Sequence, residues 1–295
     1  MTFILEDVNV CVSKVFIWST STLDGATSTI ILGNIFKNME YRHCFFGDFE
    51  TQYNAWAVDD LESYNKVFII GMALNQSLIN KIDDPRVIFI SNKLESLNLF
   101  DSTLIHENCT SISKLIYKKF KEKVSLDINL KKLIGYVDDY TSNNHKHEES
   151  SYLNAIYRKS GHDKFTKFVN RFWNGYDGFT DTELKQYQVF ENEITEEFNQ
   201  LEIFGGDFKK WSVIMTFSKM AVDEISKKLI DKHSPDIIIV VNTSSNYVSF
   251  RRKIDSTADL KFIAEYLCGG NGSESASGGK ITEKFLKFTE NLTSL

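Results

Sequence analysis

The stretch KVFIWSTSTLDGATSTIILGNIF, Lys14 to Phe36, decides how the chain is read. Lys14 to Trp18 is an apolar run rich in β-formers, which predicts a strand. Hydroxyl residues Ser19, Thr20, Ser21 and Thr22 follow, then Asp24-Gly25. From Ala26 to Phe36 apolar residues recur at helical spacing, so the unit is strand–loop–helix. The same alternation continues. Arg42 to Phe46, Val67 to Ile70, Val87 to Ile90 and Thr103 to His106 read as strands. Gln76 to Ile82, Ser111 to about Lys123 with Thr110 as its cap, and Leu126 to Tyr140 read as helices. Short apolar strands alternating with helices give a parallel sheet covered on both faces. Ligands of such sheets bind at the carboxyl ends of the strands, so the loops after Trp18, Ile70 and Ile90 are where chemistry is expected.

Farther along, Ser151 to Trp173 reads as helical, and Thr182 to Leu201 as a charged amphipathic helix with Tyr187, Phe190, Ile194 and Phe198 on one stripe. The pattern changes after Gly205-Gly206. Strands are expected at Trp211 to Phe217, Asp236 to Val241 and Tyr247 to Arg251, and helices at Met220 to Lys232 and Leu260 to Leu267. Cys268 to Gly279 reads as a Gly/Ser loop, and Ile281 to Leu292 closes the chain.

Composition bounds the function classes. The 295 residues allow two ordinary domains, and 42% hydrophobic with 25% charged residues is globular. A net charge of −6 argues against coating duplex nucleic acid by bulk charge. The run Lys118, Lys119, Lys121 and Lys123 reads as the solvated face of a helix. The four cysteines, Cys11, Cys44, Cys109 and Cys268, form no CxxC pair, which suits reduced thiols in a cytosol. Met1 to Val10 has the pattern of neither a signal peptide nor a membrane anchor, so a cytoplasmic protein without membrane contact is expected. The Asn, Lys, Ile and Phe content and the two prolines hint at an AT-rich genome, such as that of a phage.

Gly269-Gly270-Asn271-Gly272-Ser273-Glu274-Ser275-Ala276-Ser277-Gly278 resembles the GGxGHxxAxG signature of the DHH/DHHA1 phosphoesterases, the RecJ-like and nanoRNase-like superfamily. Upstream, Val248-Ser249-Phe250-Arg251 resembles that family's V-S-x-R strand. In the N-terminal half, Thr20 to Gly25 stands where the family has HxDxDG after its first strand. The resemblance implies a DHH-type domain over 1–176, with a parallel sheet flanked by helices. A helical connector over 177–204 and a smaller α/β DHHA1-type domain over 205–295 follow.

On that pattern most metal-holding positions are substituted. Thr20 replaces a His, Thr22 and Gly71 each an Asp, and Ser91, Asn92 and Lys93 the Asp-His-His triplet. Ser273 replaces the His of the second domain. Asp24 survives, and Asp139 or, in another register, Thr141 fills the last acidic position. Divalent ions want several carboxylate and imidazole ligands, and Lys93 adds a positive charge. No cofactor is therefore expected, and Mn2+ or Mg2+ enters only if the site has been rebuilt on Asp24, Asp139 and Asp48. His145-x-His147 with Glu148 and Glu149 reads as a solvated polar loop before a metal pair. No histidine is expected beside the hydroxyl loop 19–22.

Arg251 and Arg252 remain beside the glycines. A guanidinium meets a phosphate with two parallel bonds, and Gly269, Gly270, Gly272, Ser273, Ser277 and Gly278 allow close backbone approach. The alternative is a tight turn with Arg251 paired to an acid. The expected function is a degenerate protein binding a nucleotide, dinucleotide or nucleic-acid end in an interdomain cleft. A scaffold for a protein partner and an active phosphodiesterase with a rebuilt site are the alternatives.

Overall fold

The computed structural model describes residues 14–45, 48–72, 76–92, 98–121, 127–142, 144–219, 222–290 and 292–294. The chain divides into two compact units between Tyr187 and Gln188.

In the first unit the strands are β1 (Val15–Thr20), β2 (Met39–Cys44), β3 (Lys66–Ile70), β4 (Val87–Ser91) and β5 (Thr103–His106). They form a five-stranded sheet in the order β2-β1-β3-β4-β5, every neighbour parallel. Every residue of β1 and β4 is buried, as expected for strands covered on both faces. Alternate residues go to opposite sides. Val15, Ile17, Phe68, Ile70, Ile88 and Ile90 join one core, while Phe16, Trp18, Val67, Ile69, Val87 and Phe89 join the other. The first core is closed by α1 (Leu23–Ile35), α4 (Ile112–Phe120), α5 (Ile128–Thr141), α6 (Glu148–Lys159) and α7 (Lys164–Arg171). The second is closed by α2 (Phe49–Asp60) and α3 (Gln76–Ile82). In α2, Phe49, Tyr53 and Trp56 fall on one face, and Trp56 lies 4.4 Å from the ring of Phe16.

The division falls within α8 (Asp181–Gln200), so the second unit begins at Gln188. Of the expected stripe, Phe190 and Ile194 are buried, and Tyr187 packs on Tyr152 with ring centroids 3.9 Å apart. The strands are β6 (Ile203–Phe208), β7 (Trp211–Phe217), β8 (Ile237–Asn242), β9 (Tyr247–Arg252), β10 (Asn271–Gly272), β11 (Ala276–Lys280) and β12 (Thr293–Ser294). They form a mixed sheet, β10-β11-β9-β8-β7-β6-β12, in which β7 and β8 are parallel. The helices are α9 (Val222–His233), α10 (Leu260–Cys268) and α11 (Glu283–Thr289). An α/β architecture with two sheets, the first parallel and flanked by helices, is what the sequence predicts.

Three expectations need correction. The Gly/Ser segment 268–279 is not a loop: β10 and β11 pair antiparallel and β11 extends the sheet beside β9. The helix expected over 151–173 is two helices, broken at Ser160-Gly161, where Gly161 has φ 77. Ser111, not Thr110, caps α4 by accepting from the Lys114 amide. Helix α2 and strand β6 were not anticipated. No helix among the described residues is long and apolar enough to cross a membrane.

Candidate functional site

Strand order reverses between β1 and β3, so the carboxyl ends of β1, β3 and β4 border the crevice where doubly wound sheets take ligands. The side chains there are occupied with one another. Thr22 caps α1, accepting from the Gly25 amide at 3.0 Å, and its hydroxyl lies 3.0 Å from that of Thr20. Ser19 donates to the Gly25 carbonyl. Gly71 has φ +65, and a Cβ built on it would lie 2.5 Å from Cδ1 of Ile112. Ser91 is buried and its carbonyl accepts from His106 Nδ1. Asn92 donates to the Cys109 carbonyl at 3.0 Å. Lys93 lies outside the described residues.

Both retained acids serve helix ends. Asp24 accepts from the amides of Ile112 at 2.8 Å and Ser113 at 3.0 Å, the first residues of α4. The first-turn amides of a helix have no partner within it, and the N-terminus carries partial positive charge, so a carboxylate fits there. Burial nonetheless raises the Asp24 carboxyl, outweighing these bonds. Asp139, 7% exposed, accepts from the amides of Lys146 and His147, both at 3.1 Å, and from the Ser150 hydroxyl at 2.7 Å. Burial pushes its carboxyl up, but the Ser150 hydroxyl and the two amides more than offset this and hold it low. Asp139 thus anchors the start of α6, while Thr141 is exposed. Asp48 precedes α2 without a side-chain capping bond. The rings of His145 and His147 pack on Tyr140 and Tyr136. No group of three or more His, Cys, Asp or Glu suited to a metal occurs among the described residues.

One juxtaposition corrects the sequence reading. Ser21 Oγ lies 2.9 Å from Nδ1 of His43, a histidine on the neighbouring strand β2. Parallel pairing of β1 with β2 sets Ser19 opposite His43 and Thr20 opposite Cys44, and no sequence spacing announces it.

In the second unit Arg251 projects from β9, with Nε donating to Asp223 at 2.7 Å and Nη1 to the Phe250 carbonyl. Arg252 donates to the Ala258 carbonyl at 2.7 Å, with Glu274 at 4.0 Å. The glycines let backbones touch. Gly269 ends α10 in the left-handed region, φ 57. A Cβ on Gly270 would lie 2.1 Å from the Gly278 carbonyl oxygen. Ser277 donates to the Leu260 carbonyl at 2.6 Å, and Ser273 accepts from the Ala276 amide. Elsewhere in this unit a cavity of about 540 Å³ opens at the ends of β7 and β8. It is lined by Glu193, Glu196, Glu197, Phe217, Lys219 and Thr243, and by none of the residues singled out in the sequence.

No family model matches the sequence, and no curated protein does. Solved structures do match. The pGpG-specific phosphodiesterase PggH from Vibrio cholerae is 10% identical, with a TM-score of 0.58, over 94% of this chain and 96% of that one. RecJ from Thermus thermophilus, in complex with Mn2+, is 10% identical with a TM-score of 0.54, over 94% of this chain and 51% of RecJ. The chain therefore has the fold of the DHH/DHHA1 phosphoesterases.

That fold corrects the expectation that no cofactor belongs here, because a solved structure sharing it holds Mn2+. The described residues at the strand ends do not fit a pair of such ions. Hard divalent cations want several carboxylate oxygens. Here both oxygens of Asp24 and of Asp139 accept protein hydrogen bonds. Thr20, Thr22 and Ser91 supply neutral hydroxyls, and Gly71 supplies no side chain.

Proposed function

We propose that this chain uses the DHH/DHHA1 fold to bind a nucleotide, dinucleotide or nucleic-acid end without two-metal phosphodiester hydrolysis. One observation carries the reading. The two surviving acids, Asp24 and Asp139, hold the starts of α4 and α6. A carboxylate whose two oxygens are each fixed by an amide is held in place by a helix start and is not free to turn toward a metal ion or water. Arg251, Arg252 and the hairpin around Gly270, Gly272 and Gly278 supply the recognition of an anion in this reading. PggH, of the same fold, is specific for pGpG, which makes a linear dinucleotide the first ligand to try.

Calorimetric titration with pGpG, with and without manganese and with product analysis on the same samples, tests this. Micromolar binding that yields no product and is lost in Arg251→Ala supports it. Manganese-dependent cleavage refutes it and favours a phosphodiesterase with a rebuilt site. A second reading, a scaffold for a protein partner, is favoured by the pairing of Arg251 with Asp223. Under it, Arg251→Ala leaves partner binding intact and no dinucleotide binds.

A further inference from the structure

We propose that Ser21 and His43 form a nucleophile–base pair that accepts acyl groups from neutral carboxylic esters, a chemistry separate from phosphodiester hydrolysis. The placement rests on backbone bonds. The Ser21 amide donates to the Cys44 carbonyl at 3.0 Å, and the Thr22 amide turns back to the Thr20 carbonyl at 2.7 Å. Ser21 thereby sits in a sharp strand-to-helix turn at the carboxyl end of a parallel strand, the setting in which a serine nucleophile is presented. It is partly exposed and Thr22 beside it is exposed, so the hydroxyl is within reach of a small substrate.

His43 is fixed in turn. Its ring stacks on Phe165 with centroids 4.2 Å apart and planes 12° apart, and Phe165 is fully buried. Burial depresses the imidazole's pKa, the charge of Asp163 pulls it up and that of Lys164 pushes it down, leaving it below its ordinary value. The neutral form, which can take a proton, therefore prevails near pH 7. Asp163 stands at the start of α7 without capping it, so its carboxylate is not committed to that helix. The first-turn amides of Leu23 and Asp24, just beyond the nucleophile, have no acceptor within α1, a helix of 13 residues. They are candidate donors to a developing oxyanion. Substrate charge follows from the surroundings. Among the described residues Lys164 is the cation whose charge reaches His43, and Asp163 offsets it, a balance that suits an uncharged substrate better than a phosphodiester.

The step balances without a co-reactant other than water. As Ser21 Oγ bonds to the ester carbonyl carbon, its proton passes to His43 Nδ1. The carbon–oxygen bond to the alcohol breaks, and His43 returns the proton to the departing alkoxide. Water, losing a proton to His43, then attacks the acyl-serine. The acid leaves, and His43 gives the proton back to Ser21.

The test treats the full chain with a fluorophosphonate probe, maps the labelled peptide by mass spectrometry, and follows p-nitrophenyl acetate turnover in parallel. Label on Ser21 is expected. His43→Gln, with an unchanged melting curve, should slow labelling about a hundredfold. The labelling rate should rise with pH as His43 loses its proton and then level off. Ser21→Cys keeps the partner of His43 and should react with iodoacetamide faster than any of the four native cysteines. Absence of label from Ser21 in the folded chain, or label indifferent to His43→Gln, overturns the proposal.

Discussion

Removing the Asp139 carboxylate tests whether that acid is structural. In Asp139→Ala three donors lose their acceptor: the amides of Lys146 and His147 and the hydroxyl of Ser150. Lys146 and His147 are exposed, so water replaces much of what their amides lose. Losing a helix cap of this kind costs about 1 kcal/mol. Ser150 is fully buried, and stranding its hydroxyl adds roughly 1–3 kcal/mol. The sum is about 3 kcal/mol, and at roughly 2–4 °C per kcal/mol the melting temperature should fall by about 6–12 °C. Urea unfolding monitored by circular dichroism measures it. The acid limb gives a second readout. Because the folded state holds Asp139 below its ordinary value of 3.8, the stability it contributes is complete above that pH and is lost as pH falls through the lower folded value. In Asp139→Asn that loss should vanish. If Asp139→Ala unfolds within about 0.5 kcal/mol of the parent, the capping argument fails. The reading of a site without two-metal hydrolysis then loses its main support.

Asp24 should behave oppositely in acid. Burial raises its carboxyl, so the folded chain takes up that proton first, and lowering the pH toward 3.8 adds stability from this group; urea titrations of Asp24→Asn at stepped pH should lack the gain. Gly270→Ala drives a methyl against the Gly278 carbonyl oxygen and should cost the second unit about 2–4 kcal/mol by chemical denaturation. Ser277→Ala removes one bond to the Leu260 carbonyl and should cost only about 1 kcal/mol in the same assay.

The parallel sheet was legible because its buried strands are unbroken apolar runs such as VIFI at Val87 to Ile90, bounded by polar turns. Helix α2 is hard to see in sequence although Phe49, Tyr53 and Trp56 recur at helical spacing, because the polar residues between them dilute the signal. The glycine segment shows no alternation of apolar and polar residues, so its β-structure is not visible in sequence and depends on pairing with β9. The list of substituted positions could be drawn from sequence. What the surviving acids do could not. Asp24 reaches a helix 88 residues away, and Asp139 serves a helix that begins after a polar turn. The Ser21–His43 pair was invisible for the same reason, since strand pairing, not spacing, creates it.

The contact between Gly71 and Ile112 also sets the order in which this chain could evolve toward a more acidic strand end. Thr22→Asp is an easy first step, because aspartate caps a helix as well as threonine does. An acid at position 71 is a late one. It must adopt a backbone conformation that disfavours side chains and displace Ile112, whose amide Asp24 holds. Such an acid requires the Ile112 side chain to swing its Cδ1 aside, which a smaller residue at 112 makes easier. The two positions are thus epistatic, and a library varying 71 together with 112 should return more non-glycine residues at 71 than one varying 71 alone.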